Sequence, residues 1–395
     1  LEEINTGGTL NYTLDGTSKL QYAYPSDPKT SYLTWETIAT WNIGLDMSFL
    51  NSRLNFTGDY FIRDTEGMLA KSYVLPSVFG AKEPKENCAD LRTKGWELSF
   101  NWNDSFALMG KRFNYTVSAS LGDNKTVITK YNNPEKLLTD YYEGMVLGEI
   151  WGYRIDGLFA SDEEATEYTS KINQDFVNAR ILSDKVEPYY RAGDLKFRDL
   201  DNNNVINKGD DTVYDPGDRE IIGNETPRYN YSFRLGADWN GFDLGIFFQG
   251  VGKRDWYPSH LSTGFWGPYA RAFTSFIPEN FMDQCWSEEN PGGYLPRFRG
   301  YQTFADSQLG VNNDRYLQDA SYIRLKNLTV GYTLPVLKKV FTKLRVYFTG
   351  ENLWYWSPMK KYTKYIDPEA AGGNDNTGMA YNYSRNFSVG VDITF

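Results

Sequence analysis

The sequence predicts an all-β fold, namely a transmembrane antiparallel β-barrel with long extracellular loops. Apolar and polar residues alternate along nine segments, most of them roughly 9–13 residues long. Strands of soluble proteins average about 5–6 residues, whereas strands that cross a bilayer need about 9–11. Connections between the segments alternate between short and long, as turns and loops do in outer-membrane barrels. These three observations favour an outer-membrane location and contact with a lipid bilayer.

Each segment is identified by a period of two, which places every second side chain on the same face of a strand. In chain order the segments are 41–49, 54–62, 96–102, 113–121, 229–239, 242–248, 321–334, 343–349 and 386–395. The segment 321–334 changes face part-way, which predicts a β-bulge near Lys326 and Asn327. The last segment is the most regular, and we expect its apolar row to face lipid: Phe387, Val389, Val391 and Ile393.

The connections indicate which way the strands run. Those at 51–52, 104–111, 240–241 and 335–342 are short, and those at 65–92, 123–228, 252–320 and 354–383 are long. If the long loops face outside, the strand 386–395 descends to the periplasmic side. Bacterial single-chain barrels use an even number of strands. We therefore expect the alternation of Leu10, Tyr12 and Leu14 to end a preceding strand, which would make ten, and we expect residues 1–395 to form the C-terminal part of one barrel domain whose first strands are absent.

Composition excludes several other classes of protein. Charged residues make up 23% of the 395 residues and aromatic residues 16%, which excludes a disordered or collagen-like chain. No stretch approaches the ~18 consecutive apolar residues of a membrane-spanning helix. A formal charge of −10 argues against nucleic acid as a partner, because nucleic-acid binding needs a basic surface. The only histidine is His260. A Ser/His/Asp triad or a zinc site that uses histidine could therefore be built at no more than one place, around this residue.

Several short motifs are spread along nearly the whole chain. They are LTWE at 33–36, NIGLD at 42–46, KGWEL at 94–98, GEIWGY at 148–153, GDLKF at 193–197, IIGN at 221–224, GFDL at 241–244, SYIRLKNL at 321–328 and GENL at 350–353. These motifs, in this order, resemble the C-terminal half of SusC/RagA-type TonB-dependent transporters.

The resemblance implies a function that alternation alone does not give. Such proteins are outer-membrane barrels of about 22 strands with an N-terminal plug. They are capped by a SusD-like surface lipoprotein and energised by TonB, and they import oligosaccharides or, in some members, peptides. This chain then supplies the last nine or ten strands. The plug domain and the segment that contacts TonB would lie in the missing N-terminal region.

The stretch 199–210 resembles a calcium-binding loop of the pattern D-x-[DN]-x-[DN]-G-x5-E. Calcium takes six to eight oxygen ligands, and this spacing brings several together. The stretch departs from this pattern at two positions. Asn204 replaces the glycine of the sharp turn, although Asn tolerates positive φ, and Asp210, which is shorter than glutamate, takes the last position. The alternative is an Asx-rich surface turn without metal. The expected ligands are Asp199, Asp201, Asn203, the Val205 carbonyl, Asn207 and Asp210.

Aromatic residues are concentrated in the long loops, where they are candidates for contact with a sugar. A flat ring with a polar edge stacks on the apolar face of a sugar and also forms a hydrogen bond. The alternative is that these rings pack the loops together. Trp354, Tyr355 and Trp356 follow a strand directly and are more typical of the interfacial girdle of a barrel. The substrate-binding candidates are Trp256, Tyr257, Trp266, Tyr269 and Trp286.

Two other functions were compared with transport. A soluble, calcium-stabilised β-domain that binds glycans would also show alternating strands, and it is the main alternative. An outer-membrane glycoside hydrolase would need two carboxylates held about 5–9.5 Å apart, which a sequence does not show. Because the chain has no recognisable catalytic constellation, we expect it not to be an enzyme.

Overall fold

A computed structural model describes most of the chain, and all structural statements below refer to these residues. They are 4–13, 19–25, 33–71, 84–174, 190–273, 275, 277, 279–300, 302–303, 307–335, 342–371 and 381–395. The chain divides into two compact units. The first comprises 1–41, 62–93 and 126–145, and the second 42–61, 94–125 and 146–395. None of the helices found in the described residues has the length and apolar character needed to cross a membrane.

Strands dominate the described residues, and helices are short. The strands are β1 (Ile4–Thr13), β2 (Lys19–Pro25), β3 (Thr37–Phe49), β4 (Leu54–Lys71), β5 (Lys85–Leu108), β6 (Lys111–Lys130), β7 (Glu149–Tyr153), β8 (Ile155–Leu158), β9 (Leu195–Phe197), β10 (Arg219–Asn224), β11 (Arg228–Trp239), β12 (Phe242–Lys253), β13 (Asp255–Trp256), β14 (Cys285–Trp286), β15 (Leu295–Arg297), β16 (Gln318–Asp319), β17 (Tyr322–Leu334), β18 (Lys343–Trp356) and β19 (Asn386–Thr394). The α-helices are α1 (Asp162–Lys171) and the single turn α2 (Thr263–Trp266), and short 3-10 helices lie at Gly267–Tyr269, Met282–Gln284 and Pro358–Lys361.

Nine of these strands form one sheet, in the order β3-β4-β5-β6-β11-β12-β17-β18-β19. Each of these nine strands lies beside the next of the nine in sequence order. The pairs from β6 to β19 are antiparallel. All nine predicted strands are therefore confirmed. The remaining strands form small two-stranded sheets within the connections.

Short turns join several of these strands. Met109 and Gly110 have φ of 49° and 72°, and Asn240 and Gly241 have φ of 50° and 91°. Two successive positive φ values are typical of the tight turn whose twist matches that of a β-hairpin. The turn predicted at 104–111 is therefore shorter than expected, because β5 continues to Leu108.

Strands β4, β5 and β6 are also longer than their alternating segments, at 18, 24 and 20 residues. Much of 65–92 and the start of 123–228 were predicted as loop but are strand. In the first unit the added length carries polar cross-strand pairs. Arg92 and Asp64 form an ion pair at 2.6 Å, and the hydroxyls of Thr93 and Thr126 lie 2.8 Å apart. Such pairs stabilise a sheet without an apolar row, so alternation does not reveal them.

The N-terminal strands differ from the prediction in their pairing. Leu10 and Tyr12 lie in β1, which pairs with β2 in a separate two-stranded sheet, and Leu14 lies outside the described residues. The predicted alternation thus belongs to a hairpin, and the nine-stranded sheet gains no tenth strand from it among the described residues.

In the second unit, the two faces of the sheet differ in chemistry. On one face the rows are apolar, as where Phe233 pairs with Phe248 and Leu235 with Ile246. The other face is polar. There the Ser120 and Ser232 hydroxyls are 2.7 Å apart. Arg345 bridges Asp243 at 2.7 Å and Asp392 at 3.0 Å on the same face. This is the division expected of a barrel wall between lipid and a polar interior.

The predicted bulge is confirmed. The pairing of β17 with β18 shifts between Leu325 and Asn327, and that of β12 with β17 shifts between Phe247 and Phe248. Beyond the bulge Arg324 pairs with Tyr355 and Leu325 with Trp354.

The connections of the second unit pack around a common interior, which we call the loop core. It contains mainly aromatic and aliphatic side chains from 153–371. Tyr294 and Tyr362 stack at its edge with ring centroids 3.5 Å apart, which joins two connections. Its buried members are Tyr153, Leu195, Phe197, Ile206, Trp256, Tyr257, Phe265, Trp266, Tyr269, Ala270, Phe281, Cys285, Leu295, Leu309, Tyr316, Ala320, Met359, Ile366 and Ala371.

Candidate functional site

The acidic loop predicted to bind calcium is built from a series of local turns. The backbone N–H of Asn203 donates to Asp201 at 2.9 Å, and that of Val205 donates to Asn203 at 2.7 Å. Asn202 and Asn204 have φ of 60° and 64°, so Asn204 makes the sharp turn in place of glycine, as expected. The loop is held to the chain before it, because Ile206 N–H donates to the Asn173 carbonyl at 2.7 Å.

Three carboxylates converge in this loop, and one of them was not predicted. Asp199, Asp201 and Asp218 each place an oxygen within 4.8 Å of the others. Asp210 lies outside this group, and its backbone N–H donates to Asp215 at 3.3 Å. The predicted ligand role of Asp210 stays a prediction. Asp218 joins the group because residues 208–217 leave the loop and return to it, which the spacing of the sequence pattern does not show.

Asp218 closes the base of the loop. One of its carboxylate oxygens accepts from Leu200 N–H at 2.8 Å, and the other accepts from Asn207 N–H at 2.8 Å. The side chain is fully buried. Burial raises the pKa of this carboxyl, the two backbone donors lower it, and the neighbouring charges of Asp201 and Asp199 raise it further.

The donor set fits a hard cation. Calcium–oxygen bonds of about 2.3–2.6 Å place two ligand oxygens no more than about 5 Å apart, and the three carboxylates meet that limit. One oxygen of Asp199 is buried and has no hydrogen-bond partner. Asn207 differs from the expected ligand set, because its amide donates to the Val205 carbonyl at 3.0 Å and its oxygen accepts from Gly209 at 2.6 Å. The ligand roles of Asn203, Val205 and Asn207 stay predictions.

The five aromatic residues predicted to bind substrate are all buried. Trp256, Trp266 and Tyr269 are at most 1% exposed, and Tyr257 and Trp286 are each 6% exposed. Four of them, Trp256, Tyr257, Trp266 and Tyr269, form edge-to-face or tilted ring pairs with other aromatic residues of the loops, for example Trp266 with Tyr316 at 5.3 Å. These contacts are the loop packing that the sequence left open as the alternative. The prediction that these five residues contact a ligand stays a prediction.

The polar atoms of these rings are also used within the loops. The Trp266 indole N–H lies 3.1 Å from the carbonyls of Pro258 and Ser259, and the Tyr269 hydroxyl donates to the Pro296 carbonyl at 2.7 Å. The Arg297 guanidinium lies over the Trp286 ring at 4.8 Å.

Two aromatic residues that were not among the predicted substrate-binding residues, Tyr362 and Tyr365, lie closer to solvent. A cavity of about 100 Å³ opens beside α2, and its lining includes Phe265, Phe281, Tyr362 and Tyr365. Tyr365 is 54% exposed. Tyr362 and Tyr365 lie in the connection 354–383, and the only signal for them was the general density of aromatic residues there.

Comparisons with known proteins place the chain among outer-membrane receptors. A family model described as TonB dependent receptor-like, beta-barrel, matches residues 5–353. The chain is 28% identical to TonB-dependent receptor P3 of Formosa agariphila over 97% of this chain and 36% of that protein. It is 24% identical to TonB-dependent receptor SusC of Bacteroides thetaiotaomicron, over 95% of this chain and 34% of that protein.

Solved structures give the same fold. The structure of the RagAB peptide transporter superposes with a TM-score of 0.69 and 20% identity, covering 100% of this chain and 38% of that one. The RagAB peptide importer in its open-open state gives a TM-score of 0.67 at 21% identity. The chain thus spans little more than a third of the length of the relatives that it matches.

Proposed function

The chain belongs to the TonB-dependent receptor-like β-barrel family and lies in the outer membrane, and from this premise we propose that the whole receptor actively imports an oligosaccharide or a peptide. The observation that carries the proposal is the match of the family model over residues 5–353. Membership of this family sets aside the alternative of a soluble glycan-binding domain. Its relatives are named receptors or transporters, which supports a role other than catalysis.

The arrangement of the second unit supports import. One face of the sheet is polar, and long connections at one end of the strands pack into the loop core. Such connections would form the ligand-facing surface above a polar passage. We propose that a SusD-like surface lipoprotein covers this surface and that TonB supplies the energy through a region outside this chain.

Import is expected to require TonB, whereas ligand binding is not. A strain that lacks the receptor should lose growth on one nutrient from a panel of oligosaccharides and peptides, and the intact receptor should restore it. In a TonB-deficient strain that expresses the receptor, cells should still bind the labelled nutrient but should not accumulate it. Unchanged accumulation without TonB, or no nutrient whose uptake depends on the receptor, would refute the proposal.

We also propose that the acidic loop binds calcium in a structural role. Asp199, Asp201 and Asp218 would hold the ion, with Asn203 and the Val205 carbonyl as further candidates. A cation there would offset the repulsion of three neighbouring carboxylates and give the buried oxygen of Asp199 a partner. The ion would fix the base of the connection that follows β9.

Replacing Asp218 by asparagine is expected to weaken calcium binding by about tenfold or more, because a buried anionic ligand is lost. Asp210→Asn is the matched control, since Asp210 is exposed and lies outside the three-carboxylate group. Calcium affinity of the whole receptor is measured by calorimetry after chelation and removal of bound ions. Equal affinities for the two variants would contradict the assignment of Asp218, and no binding by the unmodified receptor would refute the site.

A further inference from the structure

Cationic and aromatic side chains gather where β17 begins and β18 ends, beside the start of β19. The Lys360 ammonium lies 3.6 Å from the centre of the Tyr355 ring, and the Arg324 guanidinium lies 4.7 Å from the same ring. Arg324 and Lys326 lie over the Tyr383 ring at 5.2 and 4.7 Å. We call these five residues, together with Arg385, whose charge acts on Lys360, the cationic cluster: Arg324, Lys326, Tyr355, Lys360, Tyr383 and Arg385.

Carboxylates neutralise only part of this cluster. Arg324 is 1% exposed and forms ion pairs with Asp367 and, at 3.1 Å, with Glu369. Lys326 bridges Glu369 at 2.8 Å. Asp367 and Glu369 therefore pair with Arg324 and Lys326.

Lys360 and Arg385 have no ion pair with any carboxylate in the described part of the chain. The Lys360 ammonium donates to the Tyr355 carbonyl at 2.9 Å, which fixes its position and leaves two N–H groups for another acceptor. Burial lowers the pKa of Lys360, and the charges of Arg385 and Arg324 lower it further. Burial is the largest cause of this shift, and the charge of Asp367 opposes it.

The register of the strands places the cluster on the polar face of the sheet. Arg324 pairs with Tyr355 and also with Gln249. The neighbours of Tyr355 in β18, Trp354 and Trp356, point to the opposite face by alternation and are 48% and 55% exposed. Lys360, which lies over the Tyr355 ring, is therefore on the polar side and away from these tryptophans. That is the side where an imported ligand would pass. Arg385 directly precedes β19, and its charge acts on Lys360.

We propose that the cationic cluster binds a carboxylate group of the imported ligand. Lys360 and Arg385 would supply charge-assisted hydrogen bonds, and the Tyr355 and Tyr383 rings would hold the less polar atoms beside the carboxylate. This inference rests on the proposed import function and narrows its ligand to anionic ones. The carboxylate has two sources, a uronic acid of an oligosaccharide or an acidic peptide.

Two pairs of probes separate these sources. Triglutamate is compared with triglutamine, and trigalacturonate with galactotriose, by calorimetry on the whole receptor at low salt. We expect one of the carboxylated probes to bind about tenfold more tightly than its neutral match, with a preference that falls as salt rises. The pair that shows the preference identifies the source.

The variant K360Q/R385Q tests the cluster itself, and Lys361→Gln is the matched control. Lys361 neighbours Lys360 but lies over the Tyr362 ring at 4.8 Å, outside the cluster. The double variant should lose the carboxylate preference and the control should keep it, with both melting at the same temperature as the unmodified receptor.

If neither carboxylated probe binds better than its neutral match, or if the preference survives in K360Q/R385Q, the inference is overturned. Failure of the import function is recognised separately. A receptor that accumulates a neutral nutrient in a TonB-dependent way without any carboxylate preference would leave import standing and refute only the cationic cluster as a ligand site.

Discussion

Replacing Val391 by arginine is expected to destabilise the receptor in a bilayer by about 2–4 kcal/mol, because it places a charge on the lipid-facing side of a barrel strand. Val391 pairs with Val346, well inside β19, and it is 55% exposed in this chain. Its apolar neighbours Phe387 and Val389 are 65% and 77% exposed. Exposing such an apolar row to water costs free energy in proportion to its area, and contact with lipid removes that cost.

The matched control is Ser388→Arg, on the opposite face of the same strand. Ser388 pairs with Thr349, whose hydroxyl lies 3.4 Å from that of Thr329 on the polar face. An arginine there should leave stability nearly unchanged. Unfolding of the whole receptor in lipid vesicles by urea gives both values. If Val391→Arg were as stable as the unmodified receptor, or if both arginines cost the same, the assignment of the lipid-facing row would be wrong.

Truncating Trp266 to alanine is expected to destabilise the loop core by about 3–5 kcal/mol, as for other large aromatic residues removed from a close-packed interior. Its ring is 0% exposed and lies 4.6 Å from Phe265 and 5.3 Å from Tyr316. The substitution leaves a cavity and two carbonyls without their indole donor. Faster hydrogen exchange should be seen throughout the loop core, while the strands of the sheet remain protected.

Trp354→Ala is the control for this effect. The Trp354 ring is 48% exposed and lies outside the loop core, so its truncation should leave hydrogen exchange in the loops unchanged. Normal exchange in Trp266→Ala combined with weaker ligand binding would instead show that Trp266 acts by contact with ligand.

The sheet was predictable where one face is apolar and the other is polar, because alternation then records burial in lipid. The row of β19 and the bulge at Lys326 were read correctly for this reason. The parts of β4 to β6 outside these rows were not, since they carry polar cross-strand pairs such as Arg92 with Asp64. Polar cross-strand pairs of this kind do not produce an alternation of apolar and polar residues in the sequence.

The candidate sites show a different limit. The first part of the acidic loop follows local turn chemistry, so the sequence indicates that Asp199 and Asp201 converge and that the chain turns at Asn204. The sequence does not indicate that Asp218 joins them, because its position depends on where a longer excursion returns. The burial of Trp266 could not be predicted from the sequence either. A ring that packs loops together and a ring that stacks on a sugar have the same side-chain chemistry.

The closure of the acidic loop by a single carboxylate has a consequence for how this part of the surface can vary. Asp218 ends the excursion 208–217 and holds Asn207 at its start, and Gly209 and Gly217 turn the chain at its base with φ of 55° and 59°. Within the excursion Asp215 accepts from the backbone N–H groups of Asp210 and Gly217, both at 3.3 Å, and Asp211 pairs with Arg219 at 2.6 Å. Insertions and deletions that keep these contacts should leave the three carboxylates in place. This part of the surface can then diversify in sequence and length while the converging carboxylates stay constant.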